Sequence, residues 1–285
     1  MSKSKKDAKS THINKFLAVL FVIAFIVGLS ALWVNRIIFN QENFTNTVTK
    51  SLTQESSRDA IATFVVNNAL ENRPIAKRVL DDRLVSMISG LLGSDSSEKL
   101  ISKLSTGIHK VVLTSFDEDI KIDLTEIKGT LIQLQNIATD IPQEERRVDP
   151  NQIPDEIVFV EKGSMPKFYK YQSVFLALWI ICAGIIAFTG TKIYKSKDSA
   201  KESIRYLSKL TLITSLIGLA VGPLAKPPLI NSLKTEEGSI VIGNLYNDFL
   251  NPYVMVMGLI LITSIVVWAG THIVSDFYKG FKGEA

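Results

Sequence analysis

Histidine and carboxylate side chains are the groups of this chain that could bind a metal or move protons. The three histidines are His12, His109 and His272, and no H-x-x-x-H or H-E-x-x-H motif pairs any two of them. A zinc site of the hydrolase type needs such a pair on one helical face. His109 falls between apolar positions Ile108 and Val112 of a predicted helix. We therefore interpret His109 as a structural histidine of a core rather than a metal ligand.

Carboxylates cluster at 117–119 and recur at Asp123. The run resembles a cation-binding loop, but it lacks the glycine that a calcium loop of the EF-hand type needs at its sharp turn. The single cysteine, Cys182, excludes an intramolecular disulfide and a cysteine-rich metal site. Phosphate-binding loops, dinucleotide glycine motifs and a G-x-S-x-G nucleophile motif are also missing. We therefore predict that the protein is no enzyme and binds no cofactor or metal.

The composition of the chain indicates which kind of structural element must carry any binding site. The chain has 285 residues, of which 46% are hydrophobic, and its mean hydropathy is +0.21. Soluble domains are on average slightly polar, so this value predicts membrane spans. The 32 basic residues nearly balance the 28 acidic ones. That balance excludes a strongly basic arm for nucleic acid, and we predict no nucleic-acid partner.

Four segments are apolar over about the 20 residues that a bilayer-spanning helix needs. They are residues 16–38, 173–194, 210–225 and 253–274. The third segment is the weakest because it is short and contains Pro223, and a buried or re-entrant helix is the alternative interpretation. The first segment follows a basic stretch and no A-x-A cleavage site comes after it. We expect it to be an uncleaved signal anchor.

Basic residues near the span ends predict the orientation. Lysine and arginine are concentrated before the first span and between the second and third spans. We therefore expect a multi-pass protein of the plasma membrane with both termini in the cytoplasm. The remaining segments are then a cytoplasmic tail 1–15, an extracytoplasmic domain 39–172, a cytoplasmic basic loop 195–209, an extracytoplasmic loop 226–252 and a cytoplasmic tail 275–285.

The basic loop offers a candidate contact surface. If the segment is helical, Lys197, Lys201 and Arg205 are i, i+4 neighbours on one face, and Lys209 continues that face. Such a face attracts anionic lipid headgroups or an acidic partner, although topology alone also explains these residues. We predict membrane lipids as partners, together with a protein partner or a second copy of the chain.

Small residues recur at a spacing of four within two spans, at Ala24 and Gly28 and at Gly218 and Gly222. Such pairs let helix backbones approach closely. We predict packing within the four-helix bundle, with a contact between subunits as the alternative. No Asp, Glu, Lys or Arg lies in the middle of a span. An intramembrane charge usually marks an ion or proton path, so its absence argues against a coupled transporter.

The extracytoplasmic domain has 16 basic and 20 acidic residues and is mostly helical by its apolar periodicity. Pro74 begins one predicted helix, Gly93 ends it, and Ser96 or Ser97 caps the next. Alternation predicts strands at 119–124 and 156–161, which pair in parallel if the predicted helix between them is a crossover. The predicted fold class is mainly α: a transmembrane four-helix bundle with an extracytoplasmic, mostly helical domain that contains a small two-stranded β element.

The arrangement is similar to a large group of uncharacterised bacterial integral membrane proteins, best represented in actinobacteria. In that group a tryptophan closes the first span, as Trp33 does here, and a helical outer domain follows. A histidine-bearing helix leads to a hydrophobic–Asp–Leu strand, here 107–113 and 122–124. Pro142 and the strand 157–160 match the features that precede the group's second span. The likeness covers about residues 20–195, and the group has no established activity to carry over.

Two functions stay open at this point. The first is a structural or interaction role, in which the outer domain binds an envelope component or a partner subunit and the bundle anchors it. The alternative is a permease-like mechanical or transport component that couples to a cytoplasmic ATPase through the loop 195–209. The permeases of cell-division-type ABC transporters share inner termini and a large outer domain after the first of four spans.

Overall fold

The computed structural model describes residues 3–69, 74–114, 119–123, 156–160, 167–196, 199–233 and 235–283. This part of the chain is mainly helical, as predicted. Its α-helices are α1 (Lys3–Trp33), α2 (Gln41–Thr53), α3 (Glu55–Ala69), α4 (Pro74–Leu92), α5 (Asp95–Leu113), α6 (Lys170–Lys195), α7 (Ala200–Asn231) and α8 (Glu236–Gly283). A short π-helix, Val34–Ile38, continues α1.

The contacts divide the chain into two compact units. The first, which we call the bundle, consists of Met1–Ile38, Tyr171–Ser232 and Tyr246–Ala285. The second unit consists of Phe39–Lys170 and Leu233–Leu245. The sequence predicted a single insert at 39–172, so it missed the residues before Tyr246 that also belong to the second unit.

Four helices are long and apolar enough to cross a membrane, which confirms the prediction of four spans to that extent. The apolar helical segments are Lys15–Ile38, Lys170–Lys195, Ala200–Asn231 and Glu236–Thr271. The third was expected to be the shortest, yet α7 has 32 residues and continues through Pro223, Pro227 and Pro228. Membrane helices tolerate proline where neighbouring groups satisfy the freed carbonyls. The Tyr246 hydroxyl donates to the Gly222 carbonyl at 2.7 Å next to Pro223, although the carbonyl that Pro223 itself frees is that of Leu219.

Two segments predicted as loops are largely helical. In the predicted basic loop 195–209, α6 ends at Lys195 and α7 begins at Ala200. The Ser199 hydroxyl caps α7 by accepting from the Glu202 amide at 3.2 Å. In the predicted loop 226–252, α7 continues to Asn231 and α8 begins at Glu236. The sequence defined both segments only as the stretches between predicted spans, and the helices extend into them.

The helices of the bundle alternate in direction. α1 and α6 are antiparallel, because Gly28 lies against Cys182 while Phe21, earlier in α1, lies against Gly190, later in α6. α6 and α7 form a helical hairpin, and across its turn the Ser203 hydroxyl donates to the Tyr194 carbonyl at 2.8 Å. Both connections therefore reverse the chain, as successive membrane spans require.

α7 and α8 are also antiparallel along most of their length. Residues that come progressively earlier in α7 meet residues that come progressively later in α8. The pairs are Gly222 with Tyr246, Gly218 with Met257, Thr211 with Ser264 and Arg205 with Thr271. The N-terminus of α1 and the C-terminus of α8 therefore lie at the same end of the bundle.

The second unit is built from two helix pairs, α2 with α5 and α3 with α4. Between α2 and α5, the hydroxyls of Thr45 and Thr106 lie 3.2 Å apart. Between α3 and α4, the Arg58 guanidinium donates to the Ser89 carbonyl at 3.4 Å, and the Ser89 hydroxyl donates to Asp59. Polar contacts thus hold both pairs together beside the apolar ones.

Ser94 caps α5, and its side chain accepts from the Ser97 amide. The sequence placed this cap at Ser96 or Ser97, which was wrong because the helix begins earlier, at Asp95. Asn40 caps α2 in the same way through the Asn43 amide. An oxygen side chain at each start satisfies one of the free amides of the first turn.

Two short strands, β1 (Ile120–Asp123) and β2 (Glu156–Val160), pair in the second unit. They are antiparallel, with Ile122 opposite Ile157 and Asp123 opposite Glu156. The expectation of a parallel pair was therefore wrong. It assumed a crossover helix between the two strands, which an antiparallel pair does not need. The predicted helix 125–136 and the predicted loop 140–151 lie outside the described residues.

Candidate functional site

The structure places two residues of the predicted basic face, Lys201 and Arg205, one turn apart on the same side of α7. Lys197 lies outside the described residues, and Lys201 is half-buried in the first turn of α7. Arg205 instead turns toward α8, where its guanidinium donates to the Thr271 carbonyl at 3.2 Å. The buried Nε of Arg205 has no hydrogen-bond partner among the residues that the structure describes. The sequence could not foresee this, because Thr271 is far from Arg205 along the chain.

Arg205 lines a groove of about 800 Å³ within the bundle. One face of α7 forms most of its wall, and Trp268 of α8 lies opposite. The lining residues are Glu202, Arg205, Tyr206, Lys209, Leu212, Ile213 and Trp268. The α7 residues recur every three or four positions, which is the spacing of a single helical face. Of the predicted basic residues with described side chains, Arg205 and Lys209 line the groove and Lys201 does not.

The small residues at the predicted packing positions lie at helix contacts inside the bundle. Ala24 is 3% exposed. A Cβ added at Gly28 would lie 2.8 Å from the Cys182 Cβ, and one at Gly218 would lie 2.6 Å from the Met257 Cε. A Cβ at Gly222 would meet the Leu250 side chain just as closely. These glycines allow close approach of α1 to α6 and of α7 to α8.

A hydroxyl pair links α7 to α8 between the glycine contacts and the groove. Thr211 Oγ1 and Ser264 Oγ lie 2.8 Å apart, and Ser264 is buried. Both lie on a second groove of about 490 Å³, which Phe25 of α1 also lines. We did not single out either residue in the sequence. The repeated hydroxyl residues of α7, Ser208, Thr211 and Ser215, were the available signal.

His109 is a buried core residue of the second unit, as its sequence pattern predicted. It is 2% exposed, and its ring lies 5.2 Å from the ring of Phe44 on α2. Among the residues that the structure describes, no three His, Cys, Asp or Glu side chains are grouped as metal ligands. Of the carboxylate run, 117 and 118 are outside that part of the chain, and Asp119 is exposed.

The first turns of α8 dock on α3 inside the second unit. The Asn244 amide lies 2.8 Å from the hydroxyls of both Ser56 and Ser57 and donates to them. At the other end of α3, the Asn67 amide donates to Glu237 at 3.5 Å. These contacts explain why residues 233–245 belong to the second unit.

The outward face of α3 has an exposed apolar pair. Phe64 is 48% exposed and Val65 is 43% exposed. The core side of the same helix is made of small or branched residues, namely Ala60, Ala62 and Val66, which are all buried. The largest apolar side chain described on α3 is therefore left at the surface.

Comparison with protein-family models, with curated proteins and with solved structures finds no match for this chain. The resemblance to the bacterial membrane protein group therefore stays a prediction. Function has to be inferred from the two surfaces described above, the Phe64–Val65 pair in the second unit and the groove in the bundle.

Proposed function

We propose that this protein is a non-enzymatic, multi-span protein of the cell membrane whose second unit binds a protein partner on the extracytoplasmic side. The observation that carries this proposal is the exposed Phe64–Val65 pair on α3. Aromatic side chains are enriched in the buried centres of protein interfaces, where they supply much of the binding energy. The four apolar helices serve as the membrane anchor of this binding unit.

Photo-crosslinking in native membranes tests the proposed surface. A photoreactive phenylalanine analogue replaces Phe64 in one variant and Lys103, an exposed residue of α5, in the control variant. We expect a discrete protein adduct at position 64 and none at position 103. Equal labelling at both positions, or no adduct at 64, would overturn the proposal. Co-purification of a nucleotide-binding subunit with the protein from mild detergent would instead favour the permease-like alternative.

Orientation is tested separately, because the proposal places both termini in the cytoplasm and the second unit outside. A Cys182→Ala background receives a single cysteine at Ser96, exposed on α5, or at Ser196, between α6 and α7. Intact cells are then treated with a membrane-impermeant thiol reagent. We expect labelling at position 96 and none at 196 until the cells are opened. The reverse pattern would place the second unit in the cytoplasm and exclude an external partner.

A further inference from the structure

The α7–α8 groove is lined by charged residues toward one end and by apolar residues toward the other. Glu202, Arg205 and Lys209 lie toward the start of α7, and Leu212 and Ile213 follow one turn later. Lys209 is the last charged residue of the first turns of α7, and an apolar run begins at Leu210. The groove therefore extends across the boundary between the polar and the apolar part of a membrane-spanning helix.

α8 also changes from apolar to polar residues near the groove. Trp268 of α8 also lines the groove, and it lies within the last two turns of the apolar run 253–274. Tryptophan and tyrosine concentrate where a membrane protein meets the headgroup layer, because one end of each ring is apolar and the other is polar. Tyr206 lies beside Trp268 in the lining. Two helices thus independently place the groove at headgroup depth.

The charge of the groove favours an anion. Arg205 and Lys209 contribute two positive charges, and Glu202 at the outer end contributes one negative charge. The bond to the Thr271 carbonyl orients the guanidinium of Arg205, whose buried Nε has no hydrogen-bond partner among the described residues. Guanidinium and ammonium groups are the usual protein ligands of phosphate.

We propose that the groove binds one anionic phospholipid of the surrounding bilayer. Arg205 and Lys209 contact its phosphate, Tyr206 and Trp268 lie along the glycerol region, and an acyl chain follows Leu212 and Ile213. A soluble anion would use the charges but leave the apolar wall empty. A zwitterionic lipid would fill the apolar wall but would not neutralise the excess positive charge.

The groove uses only part of the basic face that the sequence predicted. Arg205 and Lys209 line the groove, whereas Lys201 does not. A general attraction of basic residues to the membrane surface would make all of these lysines equivalent. If the groove is a specific site, removing the charges of Arg205 and Lys209 should weaken lipid binding more than removing the charges of Lys195 and Lys201.

Native mass spectrometry of the full-length protein from mild detergent tests the proposal. Phosphatidylglycerol, phosphatidylcholine or inorganic phosphate is titrated into wild type, into Arg205→Gln/Lys209→Gln and into the control Lys195→Gln/Lys201→Gln. We expect one tightly retained phosphatidylglycerol in wild type and in the control. In the groove variant its affinity falls at least 5-fold. Phosphatidylcholine and phosphate bind at least 5-fold more weakly than phosphatidylglycerol to wild type.

An equal loss in both double variants would overturn the proposal in favour of unspecific surface charge. Equal binding of phosphate and phosphatidylglycerol would replace the lipid with a soluble anion. Because Arg205 also bonds to Thr271, its loss could unfold the bundle. Ile213→Trp therefore fills the apolar wall while keeping both charges, and it should weaken phosphatidylglycerol at least 3-fold without affecting phosphate. Unchanged lipid retention in a folded Ile213→Trp protein would also overturn the proposal.

Discussion

The indole Nε1 of Trp33 donates a hydrogen bond to the carbonyl oxygen of Phe249, and the two atoms lie 2.9 Å apart. This bond joins the last turn of α1 to α8 near Pro252, which lacks the amide that would bond to the carbonyl four residues earlier. The Trp33 ring also meets the Tyr253 ring edge-on, with centroids 6.1 Å apart. Trp33 thus ties the end of the first span to the proline-containing turn of the last.

We predict that Trp33→Phe destabilises the bundle by about 1 kcal/mol, the usual net value of one hydrogen bond. The variant keeps an aromatic ring against Tyr253 but loses the donor to Phe249. Thermal unfolding in detergent measures the change. Trp179→Phe on α6 makes the same chemical change in another span and serves as the control. An equal effect at both positions would show that the loss of indole area, rather than the bond, is responsible.

Because Gly28 lies against Cys182, adding a single methyl group at position 28 should destabilise the bundle. Gly28→Ala would place a Cβ 2.8 Å from the Cys182 Cβ, which cannot move without its backbone. α1 and α6 must therefore separate, and overpacking of this kind costs about 1–3 kcal/mol. Gly218→Ala should cost less, because its neighbour is the flexible end of Met257. Unfolding temperatures in detergent should fall in that order.

Cys182 provides an independent measurement of the same packing. It is the single cysteine of the chain and is buried. Maleimide labelling of the folded protein should be faster in Gly28→Ala than in wild type. The control is Gly184→Ala on α6, where an added Cβ has nothing within 4 Å. Its labelling rate should stay unchanged, and its stability should rise slightly because alanine favours helix. Unchanged labelling of Cys182 in Gly28→Ala would contradict the contact.

Local signals in the sequence predicted much of the helical structure. α4 begins at Pro74 and ends just before Gly93, as predicted, because proline suits a first helical turn and glycine suits the residue after the last. The four spans follow from the length of their apolar runs. Each of these features depends on residues that are neighbours along the chain.

Features that depend on distant residues escaped prediction. On α3 the helical spacing of the apolar residues Ile61, Phe64 and Val65 favours a buried face, yet Phe64 and Val65 are exposed. Close helix approach buries small side chains such as Ala62, and hydrophobicity alone does not reveal that. The lipid groove escaped for the same reason, because Trp268 comes to lie opposite Lys209 only when α7 and α8 pack together.

The hydroxyl pair of α7 and α8 predicts a small coupling between two spans. Thr211→Val removes one hydroxyl without changing the shape of the side chain, and Ser264→Ala removes the other. Measured against wild type and the double variant, the pair should contribute about 0.6 kcal/mol, as interhelical hydrogen bonds in membrane proteins do on average. Thr263→Val should show no coupling to Thr211→Val, because its hydroxyl donates to Leu259 of its own helix. Equal coupling at 263 and 264 would contradict a direct bond.

The last prediction concerns how α8 is held on α3 within the second unit. The Asn244 amide donates to the hydroxyls of Ser56 and Ser57 at 2.8 Å, and Ser57 is fully buried. Asn244→Ala should therefore lower the stability of residues 236–245 by about 1–2 kcal/mol. Amide hydrogen exchange should become faster there by roughly 5- to 30-fold and stay unchanged in α5. In a mutant cycle, replacing both Ser56 and Ser57 with alanine should remove most of the effect of Asn244→Ala, because Asn244 donates to both hydroxyls. Additive effects would show that Asn244 acts through another contact, and unchanged exchange in the first turns of α8 would show that this anchor does not hold the helix.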